Sequence, residues 1–318
     1  MLRKCFTVCA LVIFVSLSCI TRNNPFDPIN SPALLSGVKT LVSNADTLAA
    51  KIFSASAGDT IVVAPGIYHV SLRFSNSGTA DKPIVVLGSD TGSVLRAQPT
   101  LGILYISAQH SLRFQYMTFD SSNASGAKIE NGSSDIVFSD CAFQDNAFDG
   151  LEITDSDVKA SRCTFVRNEK AGIVINGDAS GSHTVIMENA LMAHNVQDGV
   201  DVIAAPAAIS HSTISDNGGN GITLTTPAGP VRVATSIISF NAGDGISGLW
   251  DSAVSQLSFD SLDIDSNRAA FSLSPAVSPS YWIWDPMFVD RSAGDYSIGA
   301  ASEIYGLEQQ GIVIGYRP

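Results

Sequence analysis

One short pattern recurs through the middle of the chain, from residue 102 to about residue 271, and each copy begins with a glycine. The seven copies read GILYI from Gly102, GAKIE from Gly126, GLEIT from Gly150, GIVIN from Gly172, GVDVI from Gly199, GITLT from Gly221 and GISGL from Gly245. Successive glycines lie 24, 24, 22, 27, 22 and 24 residues apart, and Phe271 takes the glycine position in a degenerate eighth copy. Repeats of this length are typical of solenoids and propellers.

The apolar residues within each copy alternate, which predicts short β-strands. After Gly150, Leu151 and Ile153 would point to one side of a strand, while Glu152 and Thr154 point to the other. One copy is too short for a four-stranded propeller blade, but stacked copies can bury their apolar sides by pairing in parallel about 4.8 Å apart. We therefore predict an all-β fold, a single-stranded parallel β-helix, and a right-handed one because parallel crossovers favour that hand.

An asparagine stands four residues before the glycine in five successive copies: Asn146, Asn168, Asn195, Asn217 and Asn241. Each amide offers donors and acceptors to its neighbours, so stacked asparagines can form a hydrogen-bonded ladder. We interpret the column as structural and not as a binding strip, because a ligand would not need one asparagine in every coil. A large apolar residue seven positions before each glycine predicts an inward column: Phe119, Phe143, Phe165, Met192, Ile214, Ile238 and Ile264.

The repeat glycines and the cysteines at residues 141 and 163 are also expected to have structural roles. The glycines, often preceded by Asp or Asn, are expected to mark bends of positive φ. Cys141 and Cys163 both lie nine residues before their glycine and should stack inward on adjacent coils. Buried free thiols are favoured over a disulfide there, because in-register parallel neighbours are poorly angled for a bridge.

The N-terminus has the features of an export signal, with Arg3 and Lys4 before an apolar run that is too short to span a bilayer. Residues 15–19, VSLSC, resemble the bacterial lipoprotein box, which implies lipid attachment at Cys19 and a lipoprotein signal peptide over residues 1–18. That resemblance favours the outer membrane or cell surface; the alternative is a secreted or periplasmic protein. Residues 19–36, rich in proline, are predicted to be a tether.

The rest of the chain is predicted to be one elongated domain. Residues 44–55 have helical spacing behind Asn44 or Asp46 as the cap, and we expect this helix to close the first coil. The β-helix is expected over residues 37–284 and its C-terminal end or cap over residues 285–318. Trp250, Tyr281, Trp282 and Trp284 are expected to cover the last coil, or alternatively to stack on sugar rings.

Three segments of the sequence resemble pectate-lyase-like right-handed β-helix proteins, a superfamily that includes pectate lyases, chondroitinase B and alginate lyases. The segments are AGDTIVVAPGIY at residues 57–68, SGTADKPIVVLG at residues 77–88, and a C-terminal DPMFVD, GDY and IGY series. The resemblance implies the fold and an extracellular polysaccharide or cell-surface glycan as partner. Enzyme motifs of the superfamily are missing, including the Asp-Asp and Gly-His-Gly series of polygalacturonases.

Chemistry on such a scaffold would use the outward side chains of the stacked strands. The second residues after the glycines are Leu104, Lys128, Glu152, Val174, Asp201, Thr223 and Ser247, and the fourth are Ile106, Glu130, Thr154, Asn176, Ile203, Thr225 and Leu249. For a polyuronate lyase, the candidates are Lys128 or Lys170 as base, Glu130, Glu152 and Asp201 as Ca²⁺ ligands, and Asn176, Asp201 and Thr223 as substrate-binding residues. The simpler interpretation is that Lys128 and Glu152 form a cross-strand ion pair.

Two functions of different class follow. The first is an exported, lipid-anchored, monomeric protein that binds or cleaves an acidic polysaccharide, as a lyase if it is an enzyme. The second is a non-catalytic surface or adhesion scaffold. Nucleic acid is excluded as a partner by the net charge of −12, because phosphate binding needs basic patches. Apart from Ca²⁺, the sequence indicates no cofactor.

Overall fold

The computed structural model describes residues 37–88, 92–99, 101–177, 181–253, 256–277, 279–309 and 314–317. The predicted signal peptide, Cys19 and the tether lie outside the described residues. Within these residues the chain winds as a right-handed parallel β-helix, which confirms the predicted fold class. No helix in the described ranges is both long and apolar enough to cross a membrane.

The strands of the described chain are given in chain order. The first half contains β1 (Lys39–Val42), β2 (Thr60–Val63), β3 (Gly66–Val70), β4 (Leu72–Arg73), β5 (Ile84–Gly88), β6 (Ser93–Ala97), β7 (Leu104–Ser107), β8 (His110–Gln115), β9 (Thr118–Asp120), β10 (Ala127–Glu130), β11 (Ser134–Ser139), β12 (Ala142–Gln144), β13 (Leu151–Thr154), β14 (Val158–Ser161) and β15 (Thr164–Val166). The second half contains β16 (Ile173–Asn176), β17 (Val185–Glu188), β18 (Leu191–Ala193), β19 (Val200–Ile203), β20 (Ala207–Ser210), β21 (Thr213–Ser215), β22 (Ile222–Thr225), β23 (Val231–Ala234), β24 (Ile237–Ser239), β25 (Ile246–Leu249), β26 (Leu257–Asp260), β27 (Asp263–Asp265), β28 (Phe271–Ser274), β29 (Phe288–Asp290) and β30 (Asp295–Ile298). The helices are α1 (Ala45–Ser54), α2 (Glu303–Gln309) and a 3₁₀ turn at Arg291–Ala293.

Three parallel sheets run along the β-helix. Sheet 1 contains β1, β2, β5, β8, β11, β14, β17, β20, β23 and β26; sheet 2 contains β3, β6, β9, β12, β15, β18, β21, β24 and β27; and sheet 3 contains β4, β7, β10, β13, β16, β19, β22, β25 and β28. Strands β29 and β30 pair antiparallel with each other. The strands that follow the repeat glycines all belong to sheet 3.

The core is built from inward columns of apolar side chains, as the sequence predicted. The ring centroids of Phe119 and Phe143 lie 4.7 Å apart, and those of Phe143 and Phe165 lie 4.9 Å apart, both stacked. These spacings match the separation of paired strands, about 4.8 Å, so identical side chains on successive coils pack face to face. Cys141 and Cys163 are buried free thiols, as expected, and burial raises the pKa of Cys141.

The asparagine ladder is confirmed. The Nδ2 of Asn146 donates to the Oδ1 of Asn168 at 2.8 Å, and the Nδ2 of Asn168 donates to the Oδ1 of Asn195 at 2.9 Å. The chain continues through Asn217 and Asn241 to Asn267. Each Nδ2 also donates to a backbone carbonyl, and each Oδ1 also accepts a backbone N–H, so the buried amides are saturated.

The expected role of the repeat glycines is wrong. Positive φ occurs instead at other residues of the coil, such as Asp145 and Arg167, which directly precede ladder asparagines. A Cβ on Gly150 would lie 2.6 Å from the carbonyl oxygen of Gly172 and 2.9 Å from the Nδ2 of Asn168. The glycine is therefore required because the next coil passes too close for a side chain.

The expected outward positions are also wrong in the first copy. Leu104 pairs with Ala127 and Tyr105 with Lys128, so this coil is displaced by one residue relative to its glycine. A shift of one residue exchanges the two faces of a strand. Leu104 and Ile106 are consequently buried, and Tyr105 takes the outward place.

The N-terminal helix is confirmed as α1. The side chain of Asn44 accepts the N–H of Thr47 and caps the helix, as predicted. Leu48 and Ile52 are buried in the main core, so the helix covers the interior of the first coil.

The C-terminal residues pack on the outer surface of sheet 2. Tyr296 packs with Leu191 and Ala193, and Ile304 packs with Ile237. Trp282 forms a bridge beside β27, and its ring stacks on that of Trp284 at 5.2 Å. The paired tryptophans therefore cover the end of sheet 2 and the apolar residues beside it.

The ladder predicts a local difference in stability. Replacing Asn195→Ala removes an amide that serves both neighbouring coils, and should lower the free energy of unfolding by about 1–3 kcal/mol. Asn176→Ala, on the outer surface, is the matched control and should change it little. Urea unfolding of the two variants provides the measurement, and equal losses would contradict the structural interpretation of the ladder.

Candidate functional site

The outer surface of sheet 3 carries most of the polar side chains that the sequence singled out. Lys128, Glu152, Val174, Asp201 and Thr223 lie in one column, each paired in register with the next. All five are half-buried, because neighbouring strands stand on both sides. Rigid strands therefore fix the position of every outward side chain along this surface.

Lys128 is the centre of a closed polar network. Its Nζ lies 2.9 Å from the Oε1 of Glu152 and 3.4 Å from the Oε2 of Glu130. Glu130 also accepts the hydroxyl of Tyr105, and Glu152 accepts the hydroxyl of Ser125 at 3.1 Å. The hydrogen bond to Glu152 raises the pKa of Lys128, and the hydrogen bond from Tyr105 lowers the pKa of Glu130.

This network argues against two of the predicted roles. A lysine that is held charged by two carboxylates is a poor general base, so the geometry does not favour Lys128 as the base. Glu130 and Glu152 are directed at Lys128, whereas Asp201 lies beside Asp198, so the three predicted calcium ligands are not brought together. Across the described ranges, no group of three or more His, Cys, Asp or Glu side chains is placed to hold a metal ion.

Asp201 instead forms a carboxyl pair with Asp198. Asp201 is half-buried at the centre of β19, and Asp198 lies at the corner that leads into the same strand. Burial, with the hydrogen bond and negative charge of Asp198, raises the pKa of Asp201 to about 8. Burial and a neighbouring carboxyl group both disfavour the charged form, so Asp201 holds its proton at neutral pH.

Asp198 is also held in place by the next coil. Its Oδ1 accepts the N–H of Asn220 at 2.6 Å, and its Oδ2 accepts the hydroxyl of Thr223 at 2.6 Å. The two contacts fix its carboxyl group beside Asp201.

The position of Asp198 belongs to a second, shorter ladder that sequence reasoning missed. The Oδ1 of Asp149 accepts the N–H of Ala171 at 3.1 Å, and the Oδ1 of Asn220 accepts the N–H of Asp244 at 2.8 Å. These residues all directly precede the repeat glycines. An Asp or Asn recurs directly before the repeat glycines, and this recurrence is the sequence feature that indicates the second ladder.

Lys170 lies near the acidic residues but on the corner of the coil. Its Nζ is 4.2 Å from the centroid of the Phe148 ring, a cation–π contact. Burial raises the pKa of Asp149, and the positive charge of Lys170 opposes that effect. Among the predicted site residues, Asp201 and Thr223 are therefore linked through Asp198, with Lys170 near Asp149 at the corner.

The remaining predicted residue, Asn176, lies at the other edge of sheet 3. It ends β16 and begins the long connection of the 27-residue copy. His183, at the far end of that connection, has its Nδ1 3.3 Å from a carboxylate oxygen of Asp157. Asn176 pairs in register with Ile203, two residues along from the pairing of Val174 with Asp201, so it borders the outer surface of sheet 3 on the strand next to Asp201.

Comparison with known proteins identifies the fold. Residues 101–257 match a family model described as right handed beta helix region, and residues 42–100 match one described as chondroitinase B. The crystal structure of pectate lyase Pel9A superposes with a TM-score of 0.60 at 16% identity, over 80% of this chain and 84% of that one. The chain is a right-handed β-helix protein with the pectate-lyase-like fold.

A second solved structure superposes less closely on this β-helix protein. An alginate lyase from Paenibacillus sp. str. FPU-7 gives a TM-score of 0.49 at 13% identity, over 77% of this chain and 97% of that one. No curated protein matches the chain.

The carboxyl pair of the β-helix protein predicts a pH-dependent stability. The pKa of Asp201 is about 8 in the folded protein and about 3.9 in an unfolded chain. The stability that this difference contributes is fully present below pH 4 and is lost as the pH rises towards 8. Asp201→Asn should remove that part of the decline. Urea unfolding between pH 5 and pH 9 measures it.

The control for this measurement is Asp260→Asn, which makes the same substitution at an exposed position on sheet 1. It should leave the pH dependence of the wild-type protein unchanged. A decline of equal size in the wild-type protein and in Asp201→Asn would show that the pKa of Asp201 is not raised in the folded protein.

Proposed function

We propose that this protein binds an extracellular polysaccharide along the outer surface of sheet 3 and processes it by proton transfer at Asp201. The observation that carries the proposal is the Asp198–Asp201 pair, in which a carboxyl group of raised pKa on a rigid, outward-facing strand lies beside a second carboxyl group. Strongly perturbed carboxyl groups on an accessible surface are typical of catalytic sites. The fold shared with pectate lyase Pel9A supports a polysaccharide as the substrate class.

The borders of sheet 3 suit a linear polymer. On one side the corner carries Phe148, Lys170 and Gln197 on successive coils, and then only Gly219 and Gly243. Beside the Asp198–Asp201 pair, the corner is therefore lined by glycine backbone and not by side chains. A Cβ on Gly219 would lie 2.0 Å from the Oδ1 of Asp198, so the glycine also makes room for the carboxyl group.

The chemistry that fits best is β-elimination from a uronic acid unit. In this reaction a base removes the proton next to the sugar carboxylate, the bond to the leaving oxygen breaks, and a carbon–carbon double bond forms. Asp201, with a pKa of about 8, is matched to such a transfer near neutral or mildly alkaline pH. The positive charge of Lys170 would help to neutralise the sugar carboxylate, the role that a lyase requires of a cation.

A panel of polysaccharides tests the proposal. The purified protein is incubated with pectate, alginate, chondroitin sulfate and neutral dextran, with and without calcium. The appearance of unsaturated sugar is followed by ultraviolet absorbance, and new reducing ends are measured in parallel. Elimination gives both signals and hydrolysis gives only reducing ends, so the two reaction types are distinguished.

Asp201→Asn should lower kcat/KM on the active substrate by about 10²-fold or more, because general acid–base catalysis contributes at least that much. Asp260→Asn should retain wild-type activity. If Asp201 is the base, kcat/KM of the wild-type protein rises as the pH passes through about 8. Full activity in Asp201→Asn would remove Asp201 from the mechanism.

A non-catalytic surface scaffold is the second candidate. The observation that favours it is the network around Lys128. Lys128 pairs with Glu130 and Glu152, and Tyr105 donates its hydroxyl to Glu130, so these polar groups already have partners within the protein. Binding of a polysaccharide without any product in the panel, and with no effect of Asp201→Asn on affinity, would favour this function.

Export and lipid attachment form a separate part of the proposal, supported by the N-terminal sequence alone. If Cys19 is acylated, Cys19→Ser should move the protein from the membrane fraction to the soluble fraction and abolish metabolic labelling with palmitate. Cys163→Ser, which changes a buried thiol of the β-helix, is the control and should keep the label. Labelling that persists in Cys19→Ser would contradict lipid attachment at this residue.

A further inference from the structure

A buried carboxyl group lies beneath the C-terminal residues at the end of sheet 2. Asp263 begins β27 and is paired in register with Ile237, whose side chain faces the C-terminal residues and not the main core. Although Asp263 therefore points away from the interior of the coil, it is 0% exposed. The residues that bury it are those that follow β28.

The contact between Asp263 and this covering chain is specific. Trp282 donates its N–H to the carbonyl of Leu262 at 2.8 Å, and its own carbonyl accepts the N–H of Ile264 at 2.9 Å. Trp284 then donates its N–H to the Oδ1 of Asp263 at 2.9 Å. Continued parallel pairing with β27 would direct this N–H to the carbonyl of Ile264, so the carboxyl group takes the place of a backbone acceptor.

The other carboxyl oxygen is unsatisfied. The Oδ2 of Asp263 has no hydrogen-bond partner within the described ranges. The charges that act on the group are those of Asp265 and Asp285, both negative. A buried ionised carboxyl with one donor and no cation is costly, whereas the neutral form avoids most of that cost.

The covering chain has its own apolar contacts with sheet 2. The stacked rings of Trp282 and Trp284 pack with Ile237, Ile304 and Ile314. Farther along, the hydroxyl of Tyr296 lies 2.9 Å from both the Nε2 of His194 and a carboxylate oxygen of Asp216. Trp282 pairs its backbone with β27, whereas the other contacts described above use side chains, so the chain beyond Trp282 can separate without unfolding the coils.

We propose that residues 282–309 form a detachable cover on sheet 2, and that the protonation of Asp263 controls its docking. When the cover is docked, Asp263 is buried and neutral. When the cover separates, Asp263 meets water and ionises. A proton is therefore released when the cover opens, so rising pH favours the open form and exposes the apolar outer surface of sheet 2.

The direction and size of the effect follow from linkage. Burial raises the pKa of Asp263 to about 7 in the docked state, against about 3.9 for an aspartate in water. The opening constant should therefore increase about tenfold per pH unit between pH 5 and pH 7, and level off above that range.

The other ionisable groups at this interface are the same in the wild-type protein and in the variants. Asp265 and Asp285 face Asp263, and His194, Asp216 and Arg291 surround Tyr296 farther along the cover. Arg317, near Asn189, is also present on sheet 2. Because these groups are unchanged in a variant at residue 263, the difference between wild type and variant isolates Asp263.

Hydrogen exchange tests the proposal on the intact protein. The opening constants of the Trp284 amide and of the amides of β30 are obtained between pH 5 and pH 8, after correction for intrinsic exchange rates. In the wild-type protein they should increase by about 10²-fold between pH 5 and pH 7. In Asp263→Asn the increase should disappear, and in Asp265→Asn, which changes a neighbouring residue of the same strand, it should remain.

Three results would overturn the proposal. The first is an opening constant that does not change with pH in the wild-type protein, a result that requires no variant to fold. The second is an unchanged pH dependence in Asp263→Asn. The third is the same pH dependence at the buried amide of Asn195, because the whole β-helix would then be opening instead of the cover.

Discussion

The close passage of one coil over the next is the constraint on which the structure depends. At Gly172, a Cβ would lie 2.7 Å from the carbonyl oxygen of Gly199 and 2.9 Å from the Nδ2 of Asn195. The glycine of one coil and the asparagine of the next therefore act together: the missing side chain admits the amide, and the amide satisfies backbone groups that no water can reach. Because both recur in successive coils from Gly126 and Asn146 onward, these turns stack in the same register.

The same register places the candidate site. The residue directly before each glycine is held against the next coil, so an aspartate there accepts a backbone N–H, as Asp198 does from Asn220. That contact fixes Asp198 beside Asp201, and burial together with the neighbouring carboxyl group raises the pKa of Asp201. The scaffold thus produces a carboxyl group of raised pKa without a dedicated loop. The position before the glycine supplies Asp198, and the outward position of the strand supplies Asp201.

The period of the repeat was enough to predict the coils, the asparagine ladder and the inward phenylalanines, because each follows from alternation and fixed spacing. The Lys128–Glu152 pair followed from register alone. The Asp198–Asp201 pair could not be predicted, since residues three apart meet only if the chain turns a corner of known geometry between them. The one-residue shift at Leu104 was hidden for the same reason: a glycine at Gly102 satisfies the pattern without occupying the same place in the coil.

The stacking of the coils depends on a continuous asparagine ladder from which water is excluded. The exchange of the side-chain amide protons of the ladder measures this exclusion directly. The Nδ2 protons of Asn168, Asn195 and Asn217 each have two acceptors, and the residues are at most 1% exposed. By NMR, these protons should exchange with solvent only as fast as the protein unfolds globally. The side-chain amide of Asn123, which donates to the carbonyl of Pro99 at the exposed surface, should exchange far faster than the ladder amides. Rapid exchange at the three ladder residues in the folded protein would contradict the account.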